Sequence, residues 1–427
     1  MQYIIEDKRY SFKSAFDTET GAYVRTGVLD ENGADTGVDP FMASYPHLID
    51  VGIMGHCIHG KTGLCAKAGI GCYQRGILVE EPNMTVEDFR RIAEESRGRC
   101  NQLALGGRGD PDQHEHFEEI LKICRKNVLV PNFTTSGYGM TPELARLCAR
   151  YCGAVAVSWY RSEYTLAAIQ MLLEAGVKTN IHYVLGRNSI DEAIERLKRD
   201  DFPEGINAVI FLLHKPAGQG SVENMLSVDD PRVAEFFAEV GRQHRFKVGM
   251  DSCNVPGAVR FCHSVLPESL DTCEGGRYSC YIGADMVMVA CSFDQERRYE
   301  VSLREMSIEA VSYTHLDVYK RQVDGVMDDI LRMPYSEDYV WVTIHDEDPS
   351  PDARLALRVV FPNIMKFSVV NSKTKLDMDV SVNDNMGNKS IIELFSDFYR
   401  LRNNGRDPEE KHLYIIRKML KQLEEEQ

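Results

Sequence analysis

An apolar strand, Leu48–Met54, runs straight into a glycine-rich loop that carries three cysteines, Cys57, Cys65 and Cys72. The stretch reads DVGIMGHCIHGKTGLCAKAGIGCYQRG from Asp50 to Gly76, and no other cysteine lies within 25 residues on either side. Glycines at 60, 63, 69 and 71 let such a loop fold back so that thiols distant in sequence converge. Three thiolates without a fourth suit an iron–sulfur cluster that keeps one iron open for a ligand. Four would close the cluster or suit structural zinc. The residues alone leave three readings open: a cluster, a zinc site, or incidental thiols.

The chain continues in strand–helix units. Apolar runs at Asn101–Leu105, Asn127–Phe133, Gly153–Trp159, Val177–Leu185 and Ile206–Leu213 alternate with stretches of helical period. The latter are Val86–Ser96, His114–Arg125, Pro142–Tyr151, Glu163–Ala175 and Ile190–Lys198. Repeated βα units predict a parallel sheet, and many in succession a barrel. A cysteine loop at the C-terminal end of the first strand stands where barrel active sites stand. Residues 1–47 alternate weakly, with Tyr3–Glu6, Arg9–Phe12 and Ala22–Thr26 as short strands, and read as a leading hairpin.

A three-cysteine loop after the first strand, with Gly106 and Gly107 after the second, resembles the radical S-adenosylmethionine (radical SAM) enzymes over roughly residues 45–300. The gaps between the cysteines are seven and six residues, where that family usually has three and two; Tyr73 follows the last cysteine, as an aromatic often does there. The resemblance implies a [4Fe–4S] cluster held by Cys57, Cys65 and Cys72, and S-adenosylmethionine chelated by the open iron. It also implies that Gly106 and Gly107, with Asp110 as helper, hold the methionyl amino group, that Ser158 and Asn180 hold the ribose, and that Arg161 holds the carboxylate. Guanidinium forks match carboxylates. Thr134, Thr135, Ser136, His182, His214 and Lys215 are further polar groups at or near strand ends. Each is equally readable as a cap, a turn or a satisfied core residue. An electron donor such as a flavodoxin or ferredoxin is implied as partner.

A formal net charge of −16 disfavours a broad nucleic-acid-binding face. No basic, then apolar, leader and no apolar run of spanning length is present, so the expected setting is the cytoplasm, without a membrane. All twelve cysteines lie between Cys57 and Cys291. Cys100, Cys124, Cys148 and Cys152 read as small buried hydrophobes. Cys253, Cys262, Cys273, Cys280 and Cys291 form a second field around CEGGRYSCYIGADMVMVAC. It resembles the start of the auxiliary-cluster extension of peptide- and protein-modifying radical SAM enzymes. That implies a possible second iron–sulfur cluster held by four of the five and a peptide or protein as substrate. A zinc ribbon is the alternative.

Residues 311–322, VSYTHLDVYKRQ, resemble translated read-through of a sequencing adapter; a genuine linker helix is the alternative. On the first reading the string is a foreign junction that shares a core with neither neighbour. Beyond it, strands Tyr339–Ile344 and Ile364–Val370 flank a helix at Asp352–Val360, and helices follow at Ile391–Arg402 and Pro408–Glu425. This part is similar to the C-terminal domain of the exonuclease subunit SbcD, without the metallophosphoesterase signature that carries that subunit's nuclease activity. Nucleic acid would be a partner only if this tail acted as it does in SbcCD.

The expected fold is therefore α/β. A leading hairpin (1–47) precedes a partial (β/α)6 barrel of radical SAM type (48–252). A cysteine-rich extension (253–310), the junction (311–322) and a separate small α+β domain (323–427) follow. The competing functions are a non-catalytic part of a DNA double-strand-break exonuclease and a zinc-binding protein that is not an enzyme.

Overall fold

The computed structural model describes residues 2–371, apart from 77, 266–269, 272, 298–299, 315–319, 337–338, 351 and 362–363, together with isolated positions between 392 and 417. The chain divides into two compact units, Met1–Tyr319 and Lys320–Gln427.

In the first unit, β1 (Gln2–Asp7), β2 (Phe12–Asp17) and β3 (Tyr23–Arg25) form an antiparallel meander. The expected strand at Arg9–Phe12 is instead the β1–β2 turn, where Ser11 takes a left-handed φ of 51° and Asp7 accepts from the Arg9 and Tyr10 amides. Seven parallel strands follow: β4 (Leu48–Met54), β5 (Gln102–Gly107), β6 (Val130–Thr135), β7 (Val155–Ser158), β8 (Thr179–Leu185), β9 (Ala208–Leu213) and β10 (Lys247–Met250). The expected six strands are thus seven, because Lys-Val-Gly-Met of β10 is only four residues long and contains a glycine. On the other edge, β11 (Ser279–Ile282) pairs parallel with β4, and β12 (Val287–Val289) and β13 (Val301–Ser302) continue antiparallel. The cysteine-rich stretch therefore adds its strands to the barrel sheet itself. Strand order runs β10-β9-β8-β7-β6-β5-β4-β11-β12-β13, an open, partial barrel.

Helices start where the sequence supplies caps. Thr85, Thr141 and Ser162 each accept from the amide three residues on, opening Val86–Ser96, Pro142–Tyr151 and Glu163–Glu174. Outward residues of the strands, such as Ile49, Val51, Leu103 and Val157, are fully buried against these helices. The inward row differs from that of a closed barrel, which fills its interior with branched side chains. Asp50, Ala104 and Asn132 stand in register, and Thr134, Ala156 and Asn180 do the same on β6–β8. With alanine at 104 and 156, a cavity of about 350 Å³ opens towards the N-terminal ends of the strands. Phe16, Thr18, Thr20 and Gly21 of the meander line it, and Lys178 Nζ donates to the Glu19 carbonyl at 2.5 Å.

The second unit contains β14 (Lys320–Gly325), β15 (Tyr339–Ile344) and β16 (Ile364–Val369), all parallel, with β15 central. Helices Met327–Leu331 and Ala353–Leu357 connect them. Val323, Ile330, Val342, Leu357 and Phe361 form its core. The described part is strand–helix–strand and parallel, so it is α/β rather than the expected α+β; helices Ile391–Arg402 and Pro408–Glu425 lie outside the described residues. Of the string 311–322, residues 315–319 lie outside the described residues. Val311 is 1 % exposed in the core of the first unit, and Lys320 begins a strand of the second. Leu316 lies outside the described residues.

Candidate functional site

Cys57 follows β4, Cys65 sits in the single helical turn Leu64–Lys67, and Cys72 follows it on the returning loop. Cys57 and Cys72 approach one another at Gly76. A Cβ there would stand 3.0 Å from Cys57 Cβ and 3.6 Å from Cys72 Sγ, and the Gly76 amide lies 3.5 Å from that sulfur. Cys65 Sγ lies 3.2 Å from the Tyr160 hydroxyl. Burial pushes the Cys57 thiol up to about 11, and charge on Cys65 or Cys72 pushes it further. Burial also raises Cys65, against the hydrogen bond from Tyr160 and together with charge on Cys72. Charge on neighbouring thiols thus opposes ionisation of Cys57 and Cys65, and a cationic centre beside them would favour it.

The loop is held from both sides. Gln219 donates its amide to the Cys72 carbonyl at 2.9 Å, and a Cβ on Gly71 would meet the Gln219 carbonyl at 2.5 Å. On the other side Asp110 accepts from Ser136 N at 3.0 Å and Ser136 Oγ at 2.5 Å, and lies 3.3 Å from His59 Nε2. His59 is 5 % exposed, packs edge-on against Tyr138 and has no hydrogen-bond partner for that nitrogen. Gly107 has φ +117°, and a Cβ there would strike the Met54 carbonyl at 2.6 Å. Nothing lies within 4 Å of the place a Gly106 Cβ would take, so its backbone faces open space beneath the loop.

The other expected cofactor residues are spread along the barrel. Ser158 ends β7 in register with His182. Arg161, at φ 60°, is held by Glu192 at 2.6 Å and reaches the Ala68 carbonyl at 3.5 Å. Asn180 accepts from Asn207 at 2.7 Å and lines the lower cavity. His182 bonds Thr134 at 3.1 Å; burial pulls its imidazole down to about 4, so it is neutral. His214 is tied to the Ser221 carbonyl at 2.9 Å.

The second cysteine field separates in two. Cys262 and Cys280 are 4 % and 2 % exposed and belong to the apolar core. Cys253, Cys273 and Cys291 influence one another: burial raises Cys253 and brings Cys291 up to about 11, with charge on the other two thiols adding to Cys291 and charge on Cys273 adding to Cys253. Lys215, paired with Asp251 at 2.5 Å, opposes that rise at Cys253. Its ammonium lies 4.1 Å from the centre of the Phe293 ring, which packs at 4.4 Å against Tyr73. The two cysteine groups are thus joined through Tyr73 and Phe293.

Among the described residues, no three His, Cys, Asp or Glu side chains stand close enough together to hold one metal ion. Thiolates that each hold a different corner of a cube stand farther apart than the ligands of a single ion. The donor set of the first loop, three thiols beside open backbone, fits a cluster with one open iron. His59 and Tyr160 escaped the sequence reading; neither carries a motif, and only the folded loops bring them to the thiols.

No protein-family model and no curated protein matches the chain. Among solved structures, the chain is similar to Streptococcus suis SuiB, with a TM-score of 0.54 and 11 % identity over 75 % of this chain and 90 % of that one. SuiB bound to its precursor peptide SuiA matches with a TM-score of 0.50 and 11 % identity over 73 % and 88 %. SuiB bound to S-adenosylmethionine matches with a TM-score of 0.49 and 13 % identity over 65 % and 68 %. What is shared is the fold, an α/β fold resembling the barrel-type radical SAM enzymes.

Proposed function

We propose that this chain is a radical SAM enzyme. What supports the reading is the approach of Cys57 and Cys72 at Gly76, with Cys65 on the same loop after β4 and open space beside Gly106. Cys57, Cys65 and Cys72 would hold a [4Fe–4S] cluster, which would supply the one-electron chemistry for reductive cleavage of S-adenosylmethionine and hydrogen abstraction from substrate. Gly106 and Gly107 present backbone to the methionyl amino group, and Asp110 braces that segment through Ser136. Ser158 faces the ribose. Arg161 meets the methionyl carboxylate only by leaving Glu192, and Asn180 meets the ribose only by leaving Asn207. The lumen below excludes bulk water from the radical.

Cys253, Cys273 and Cys291 are the ligands of an auxiliary cluster, with Cys262 and Cys280 as packing residues. A peptide or protein substrate is favoured by this second group and by the fold shared with SuiB, a protein that binds the peptide SuiA. A flavodoxin or ferredoxin supplies the electron. Residues 320–427 are a non-catalytic appendage similar to the SbcD C-terminal domain.

The test is anaerobic purification with determination of iron and sulfide per chain, followed by assay of 5′-deoxyadenosine formation under dithionite. Iron, sulfide and 5′-deoxyadenosine are expected. Stoichiometric zinc without sulfide would establish the zinc-binding alternative instead.

A further inference from the structure

Asp50 is the unexplained group of the barrel. It interrupts the apolar strand Leu48–Met54, and its neighbours Ile49 and Val51 are fully buried on the helix side, so its carboxyl points into the lumen. It stands level with Ala104 and one inward step above Leu48, both of which line the 350 Å³ cavity. Among the described residues its carboxyl has no ion-pair or hydrogen-bond partner. A structural carboxylate caps a helix or pairs with a cation; an unpaired one in the interior opposes folding. Asp50 is partly exposed and stands beside the lining residues Leu48 and Ala104 without being one of them, and burial pushes its carboxyl up to about 6.

Its surroundings are specific. Tyr281 is its in-register neighbour on β11, with the phenol lying over Gly52. Among the described residues that hydroxyl also has no hydrogen-bond partner. Below, the polar walls satisfy themselves: Gln102 with Asn132 at 2.8 Å, Asn180 with Asn207 at 2.7 Å, and Thr134 with His182 at 3.1 Å. Lys178 of the lining is turned to the Glu19 carbonyl. The walls below are thus polar and, Lys178 apart, uncharged, and the Asp50 carboxyl and Tyr281 phenol stand next to them.

We propose that Asp50, assisted by Tyr281, is the substrate-recognition group of the barrel and binds an organic cation, an ammonium or guanidinium on a chain small enough to enter the cavity. A carboxylate beside a phenol ring is the recognition chemistry for such a group, and the cavity accommodates the chain that carries it. The inference rests on the proposed function only in calling this cation a part of the substrate.

The experiment is thermal unfolding of the full chain with n-butylammonium, n-butylguanidinium or the uncharged 1-butanol. Both cations should raise the Tm saturably, by about 2 °C or more, and butanol should not. Comparison of the two cations identifies the preferred head group. Asp50→Asn should itself melt higher than the parent chain and lose the response to cations. Ala104→Leu, which fills the cavity and leaves the carboxylate in place, should lose it too. An equal response to butanol, or an undiminished cation response in Asp50→Asn, overturns the inference. Cation binding by a cluster-loaded chain that does not cleave S-adenosylmethionine would overturn the proposed function and leave this site standing. Cleavage without cation binding would do the reverse.

Discussion

The two cysteine groups of this chain are built in opposite ways. Cys57, Cys65 and Cys72 belong to one loop, where Cys65 sits in a single helical turn and Cys57 and Cys72 approach at Gly76. Cys253, Cys273 and Cys291 come from three places: the turn after β10, the segment before β11 and the end of β12. Between them in sequence lie Cys262 and Cys280, which face the core instead. Sequence spacing speaks for convergence when ligands share a loop. When they come from separate loops, spacing says nothing of which cysteine packs: Cys280 does so on the buried face of β11 and Cys262 at a helix end.

The largest effects should separate ligand thiols from packing thiols. Cys57→Ala, Cys65→Ala and Cys72→Ala should each reduce 5′-deoxyadenosine formation below detection, whereas Cys124→Ala and Cys148→Ala should retain it. Equal loss in both sets at equal Tm would erase the distinction. The second group should respond differently. Cys253→Ala, Cys273→Ala or Cys291→Ala should lower iron and sulfide per chain while cleavage of S-adenosylmethionine persists. Cys280→Ala should keep its iron and cost about 1 kcal/mol in urea unfolding, the scale for removing one buried apolar atom group. Loss of iron in Cys280→Ala would return that residue to the ligand set.

A smaller effect concerns the lumen between the groups. Asp50 titrates near 6 when folded and near 3.8 when unfolded. The folded state thus binds the extra proton between these values, and stability falls as pH rises through that window. Asp50→Asn should be neutral near pH 3.5 and stabilising by on the order of 2 kcal/mol above pH 7, measured by urea unfolding at both. A constant difference across pH would show that the carboxyl is not buried. The smallest effect is expected from deleting residues 320–427, which should change cleavage of S-adenosylmethionine by less than about twofold, since each unit has its own core.

Much of the barrel was legible because its strands and helices obey their periods. Val86–Ser96, Pro142–Tyr151 and the strand Leu48–Met54 coincide with the sequence reading, and the other expected barrel strands are present with shifted ends. What escaped was tertiary. β10 is four residues with a glycine, recognisable only by its pairing with β9. Arg161 looked like a free fork, but Glu192, thirty-one residues on, occupies it. The partition of the second cysteine field depends on tertiary packing, which spacing does not record. Asp50 is the instructive case: a charge inside an apolar strand stood in plain view, and only the absence of a partner in the fold gives it meaning.

The alanines at 104 and 156 carry an evolutionary consequence. They set the volume of the lumen from positions that belong to neither cysteine group, so the space offered to substrate and the chemistry performed above it are separately heritable. Enlarging either side chain trades chamber for packing, and gains stability as it loses room. A lineage can therefore walk from large substrates to small ones by ordinary core substitutions that leave both cysteine groups untouched.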